Sequence, residues 1–230
     1  VTGIDRERRL GPRAARAQET RRRIIDAALR LFVTDGYAPT TMSAIAQEAG
    51  VAVQTLYLSF GSKANILAAA LDFSIVGDDE PVALIDRPWF QDVCAENDGH
   101  RAIARFCNEV AHVFRRVTPL HVAMRAATGD AEVASLFATD QQNRYNVQRE
   151  VVAILAGKSG FDVTSGEDRA TDIVYALLSE AVYVQLCGDR GWTLEDWTAW
   201  IIATLSNQLF PTTPSSPGAE SHTVAAVTRT

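Results

Sequence analysis

Apolar residues recur every three or four positions along most of this chain, and runs that alternate apolar with polar are nearly absent. That pattern predicts helices and little else, so the expected fold class is all-α. The first stripe, Ile24, Ala28, Leu31 and Phe32, predicts a helix from about Ala17 to Asp35. Gly36 ends it, Tyr37 can pack back on Phe32, and Pro39 prevents an immediate restart. A second, short helix is expected after the cap Thr41, running through Ile45 and Ala46 to Ala49, with Gly50 as its stop. A third begins near Val53 and ends at Leu58 or Ser59. A fourth starts at the cap Ser62 and continues through Ile66, Leu67 and Leu71 to about Ile75. Two short helices joined by a tight glycine turn are a helix-turn-helix pattern. The small Ala46 and Ala49 let the two cross closely.

Beyond residue 76 the stripes lengthen. Helices are expected at roughly 99–116, 119–128, 130–157, 166–188 and 193–209, after a connecting stretch at 77–90. Ile103, Phe106, Val110 and Phe114 share one face of the first. In the third, apolar Val133, Leu136 and Phe137 are separated from Val151, Val152 and Leu155 by a polar run that includes Asp140 and Arg144. The chain therefore divides into a flexible basic arm (1–17), a compact helical unit (18–75), a larger helical unit (76–210) and a Pro/Ser/Thr-rich tail (211–230) expected to be disordered.

Composition changes this picture in three ways. The hydrophobic share of 47% and charged share of 22% are those of an ordinary globular chain. No stretch approaches the roughly 18 consecutive apolar residues of a membrane helix. The N-terminus lacks the apolar segment of a signal peptide, so a cytoplasmic location is expected. Cys94, Cys107 and Cys187 are widely spaced and odd in number, which fits thiols better than a disulfide framework. No histidine or cysteine spacing matches a metal site, and no cofactor is implied. The net charge of −6 is unevenly spread. Residues 1–75 hold ten basic and seven acidic side chains, and the rest twelve against twenty-one. Eight arginines fall within residues 1–23, a segment that can meet phosphate.

The string from Thr41 to Lys63, with the pattern that begins at Ile24, resembles the DNA-binding domain of the TetR family of bacterial regulators. The features that match in order are Phe32, Gly36-Tyr37, Thr41, Ile45-Ala46, Ala49-Gly50-Val51, Thr55-Leu56-Tyr57, Phe60 and Lys63. Two positions depart: Ala52 stands where the family often has serine, and Gln54 where it often has a small residue. The resemblance implies an N-terminal three-helix helix-turn-helix domain followed by a larger helical ligand-binding and dimerisation domain. Ile45, Ala49, Val51, Leu56 and Phe60 are then the core that seats the recognition helix. Its N-terminal residues enter the major groove. Gln54 is the candidate base reader, because its amide matches adenine N6 and N7, and Val53 can meet a thymine methyl. Thr41, Ser43, Thr55, Tyr57 and Lys63 are candidate phosphate contacts. The arginines before the first helix can reach neighbouring backbone or the minor groove.

For the second domain the expected partners are a second copy of the chain and an unidentified small-molecule effector. Ile173, Leu177, Ala181 and Val184, with Trp197, Ile201 and Leu205, are the expected dimer interface, since paired apolar helices near the C-terminus resemble the bundle of TetR-type dimers. Phe106, Phe114, His121, Met124, Arg125, Tyr145 and Tyr175 are candidate ligand-lining residues. The function so implied is a dimeric repressor, released from a palindromic DNA operator by its ligand. A ligand-independent regulator or an activator is the alternative. A helical enzyme has no support from nucleophile–base spacing, a phosphate loop or a metal pattern.

Overall fold

The computed structural model describes residues 11–77, 86–162, 164 and 166–211. The start of the expected arm and nearly all of the expected tail lie outside these residues. Every named element among those described is helical, and the sole β-type pairing is an isolated bridge between Asp98 and Ser159.

Helix α1 spans Pro12–Thr34, α2 Met42–Ala49, α3 Val53–Phe60 and α4 Lys63–Val76. The last three match expectation within about a residue, because caps and glycines mark their ends. Thr41 Oγ1 accepts from the Ala44 N–H at 3.1 Å, and Ser62 Oγ accepts from the Asn65 N–H at 3.1 Å. Helix α1 starts five residues earlier than its apolar stripe predicts. Gly11 and Pro12 open it, and the Ala, Arg and Gln residues that follow are good helix formers with an anchored helix to extend. Residues 12–17 are therefore helical rather than part of an arm.

The second half contains α5 (Pro88–Ala95), α6 (Gly99–Ala126), α7 (Ala131–Ala156), α8 (Gly166–Leu177), α9 (Glu180–Tyr183), a π-helical stretch at Val184–Asp189 and α10 (Leu194–Leu209). Helix α5 begins in what was read as a connector. Helix α6 passes straight through Pro119, where two helices were expected. Pro119 and Arg115 both face solvent, so water can serve the carbonyl that loses its donor. The expected helix 166–188 is broken instead at Leu178-Ser179, where Ser179 caps α9. The stretch Gly166–Asp189 is nonetheless long and apolar enough, by average hydropathy, to cross a membrane, although it lacks an unbroken apolar run. Only 28% of its most apolar window is buried within this chain.

Two hydrophobic clusters organise the fold. The smaller joins α1–α4 through Ile24, Phe32, Ile45, Leu56, Ile66 and Leu67, and it also takes in Val117, Leu120 and Met124 of α6 and Val133 of α7. The larger gathers α5 to α10 around Phe106, Phe114, Trp197, Ile201 and Leu205. Helix α6 thus belongs to both cores, and the boundary expected at residue 75 is crossed by shared packing.

Candidate nucleic-acid interface

The recognition helix is held by its inner face and left open on its outer one. Leu56 and Phe60 are buried, while Gln54, Tyr57, Leu58 and Ser59 are exposed. Tyr57 is 54% exposed and Leu58 89%. A leucine so exposed contributes nothing to this chain's core. Val53 and Thr55 are half-buried, and Val53 packs against the smaller core. Ser43 is exposed in the first turn of α2. Thr41 is exposed too, but its hydroxyl already caps α2. Ala52, which precedes α3, offers no side-chain cap.

Cations fix this geometry by occupying carbonyls. Arg23 donates through Nη2 to the carbonyls of Ala49 and, at 3.2 Å, of Gly50. These are the free carbonyls at the end of α2, so Arg23 pins the turn between α2 and α3. Gly50 has φ +64°, and a Cβ there would meet Arg23 Nη2 at 3.0 Å. Only glycine suits both demands. Arg30 bonds Glu48 Oε1 through Nη2 at 3.0 Å and Nε at 3.2 Å, tying α1 to α2. Arg21 stacks on the Phe60 ring at 4.4 Å, tying α1 to the end of α3.

Lys63 departs from expectation. Its ammonium donates to the carbonyls of Tyr37 at 2.8 Å and Thr40 at 2.9 Å, with Ala38 at 3.4 Å, and lies 4.0 Å from the Tyr37 ring centroid. An ammonium has three donors, and three carbonyls take them. The phosphate role expected of Lys63 is therefore corrected: it braces the loop between α1 and α2. Burial lowers its pKa, with Asp130 pulling the other way. Arg13 and Arg16 remain exposed on the first turns of α1. The sequence reading missed Arg23, Arg30 and Lys63 as braces, since nothing local signals a partner some twenty residues away.

In the second half, a cavity of about 160 Å³ lies between α4, α6, α7 and α9. Phe106, Phe114 and His121 line it, as expected. Met124, Arg125, Tyr145 and Tyr175 do not. Met124 is buried in the smaller core, so that assignment is corrected. Arg125 is mostly exposed and pairs with the buried Glu180, which does reach the cavity. Tyr145 and Tyr175 meet edge to face at 5.4 Å on the flank of α7 and α8. The wall instead includes Ile75 of α4 and the polar residues Asp140, Asn143, Arg144 and Gln148 of α7. Asp140 Oδ2 lies 3.0 Å from His121 Nε2, both nearly buried. Arg144 Nη1 donates to the carbonyls of Tyr175 at 3.1 Å and Leu178 at 2.6 Å, satisfying the broken helix end. Burial lowers the Arg144 pKa, opposed by Tyr175 and Asp140. Among the described residues no cluster suits a metal ion.

The expected dimer face divides in two. Trp197, Ile201 and Leu205 are 0% exposed within a single chain. Trp197 packs on Phe114 at 5.4 Å and Tyr183 at 5.2 Å. They cannot touch a partner, and that part of the expectation is corrected. Helix α10 is apolar on two sides, and the pattern alone did not tell core from outer face. Ile173, Leu177 and Val184 are half-buried and Ala181 is exposed, alongside half-buried Trp200 and Ile202.

Comparison with known proteins agrees with this geometry. Residues 24–70 match the family described as bacterial regulatory proteins, tetR family. Over 79 residues, 33% of the chain, the sequence is 42% identical to HTH-type transcriptional regulator SrpR of Pseudomonas putida, and the match spans 37% of that relative's length. In fold the likeness reaches further. The fatty acid degradation regulator FadR from Bacillus halodurans matches 86% of this chain and 96% of its own at a TM-score of 0.63 and 18% identity. FadR from Bacillus subtilis, in complex with stearoyl-CoA, matches 84% of this chain and 99% of its own at 0.59 and 21%. With helices and braces in these places, residues 24–70 form a DNA-binding domain of the tetR family of bacterial regulatory proteins.

Proposed function

We propose that this protein is a transcription regulator that binds a palindromic duplex as a homodimer and leaves it when a small molecule enters the α4–α6–α7 cavity. The observation that carries the DNA reading is the outer face of α3, which is exposed while Leu56 and Phe60 anchor its inner face. Gln54 reads a base edge, and Ser43, Thr55 and Tyr57, with the helix-capping Thr41, meet phosphates. Arg13 and Arg16 extend the contact along the backbone.

Dimerisation uses Ile173, Leu177, Ala181 and Val184 with Trp200 and Ile202. Its support is the apolar stretch Gly166–Asp189, which one chain leaves largely uncovered. A two-fold pair presents α3 twice, as a palindrome requires.

Release follows from shared structure. Ile75, near the end of α4, lines the cavity, and α4 follows directly on α3. Helix α6 walls the same cavity and packs into the DNA-binding core. A ligand that fits better when these helices shift favours the form that has left DNA. That one fold neighbour was solved with a bound small molecule is consistent with this.

The test is selection of duplexes from a random pool by the purified chain. The expected result is a palindrome whose affinity falls steeply with salt. Selection of no common sequence, or of an unpaired half-site only, overturns the reading.

A further inference from the structure

The cavity's own chemistry says what class of molecule suits it, and this rests on the proposal that the cavity is the effector site. We infer that the ligand is a small uncharged and largely apolar molecule, one ring in size, carrying a single hydroxyl that donates to Gln148.

Size comes first. An apolar cavity of ~150 Å³ holds benzene. The inner space here, about 160 Å³ in a pocket that is partly open, takes one ring with a short substituent.

Charge comes second. The surface that the wall presents is almost wholly apolar, built on Phe106, Val110, Phe114 and Val147. Each charged group at its edge already has a partner. Asp140 faces His121, Glu180 pairs with Arg125, and Arg144 holds the Tyr175 and Leu178 carbonyls. A charged ligand would lose its hydration against an almost wholly apolar surface, and the Arg144 guanidinium that could answer an anion already holds two carbonyls. A carboxylate would also face Asp140 and Glu180, and an ammonium would face Arg144.

The hydroxyl comes third. Gln148 is 4% exposed. Its Nε2 donates to the Leu178 carbonyl at 3.2 Å. A carbonyl can only accept, so the amide nitrogen must point there and Oε1 must point elsewhere. Among the described residues Oε1 has no hydrogen-bond partner. Arg144 Nε, one turn before it on α7, is likewise buried and without one. Both residues line the cavity. An unmet acceptor and an unmet donor one helical turn apart suit a hydroxyl, which gives one hydrogen bond and takes one; the buried ring nitrogens of His121, on the same wall, also lack a hydrogen-bond partner. A hydrocarbon without it leaves both atoms unmet.

The test is calorimetric titration of the whole chain, without DNA, with four ligands of one shape: 4-ethylphenol, 4-ethyltoluene, 4-ethylbenzoate and 4-ethylbenzylamine. The phenol is expected to bind at least about tenfold more tightly than the toluene, with both charged compounds weaker still. Gln148→Met is expected to cut the phenol's advantage, leaving what the Arg144 N–H supplies, and to leave toluene binding unchanged. Equal binding of toluene and phenol overturns the inference, as does preference for a charged compound or no binding by any of the four. Preference for phenol undiminished in Gln148→Met overturns the assignment to Gln148. The wild-type ranking alone decides the ligand class if that variant does not fold. A chain that binds the phenol yet keeps its duplex contradicts the release mechanism alone. A chain that selects a palindrome but ignores the phenol contradicts the ligand class alone.

Discussion

The two halves of this molecule use polar side chains in opposite ways. Around α2 and α3 the core is apolar, and cations at the edge, Arg23 and Lys63, bind backbone carbonyls to fix an exposed helix. Around the cavity the order is reversed. Asp140, Gln148 and Glu180 are buried, while apolar Ile173, Leu177 and Val184 of α8 and its continuation stay half-exposed. A surface meant to meet a polar duplex needs rigid support beneath it. On the proposed release mechanism, the cavity needs groups whose partners can change. The contrast teaches that a charged residue beside a binding face need not touch the ligand.

The largest effect expected on this comparison is at the base of the exposed helix. Leu56→Ala should cost about 2–5 kcal/mol, because it empties a fully buried site. Chemical denaturation of the variant checks this, and duplex binding should fall with stability.

Next is the dimer face. Leu177→Asp should yield folded monomers at concentrations where the wild type is dimeric, read by sedimentation. Ile201→Asp, one layer further in, should instead fail to fold. Folded monomers from Ile201→Asp would show that the two faces of α10 have been exchanged here.

The third bears on Lys63. As a brace, Lys63→Ala should lower stability by about 1–3 kcal/mol, since carbonyls lose their donor. A variant with unchanged melting temperature but uniformly weaker duplex binding would restore the phosphate role.

The smallest expected effect concerns Asp72. Desolvation raises its pKa, the Asp140 charge adds to this, and Arg21 opposes. An acid whose folded pKa lies above its unfolded one binds more protons when folded. Its penalty is absent at low pH and appears as pH rises through that interval. Asp72→Asn should therefore raise the melting temperature slightly near neutrality and leave it unchanged below the carboxylate range.

How legible this was in the sequence follows from the range of the forces involved. Caps and glycines act over a few residues, so Thr41, Gly50 and Ser62 marked α2 and α4 closely. The outer face of α3 followed from its spacing against Leu56 and Phe60. Braces were hidden, because Arg23 and Lys63 find partners 23 to 27 residues away. The cavity was half visible. Asp140, Arg144 and Gln148 recur every four residues along α7 where its inner face is otherwise apolar, and that interruption was the available signal. The aromatic pattern points instead to Tyr145 and Tyr175, which lie on the flank of α7 and α8. Helix α10 misled because both of its sides are apolar, and only the packing of α6 decides which is core.

The central claim is that α3 lies in the major groove with Gln54 against a base. Its most direct test replaces each adenine of the selected duplex in turn by 7-deazaadenine, which removes one acceptor from the major groove alone. The account predicts a loss of about 1–3 kcal/mol at one symmetrically placed adenine per half-site for the wild type, and none there for Gln54→Ala. Equal affinity for every substituted duplex, or the same loss in both proteins, would contradict it.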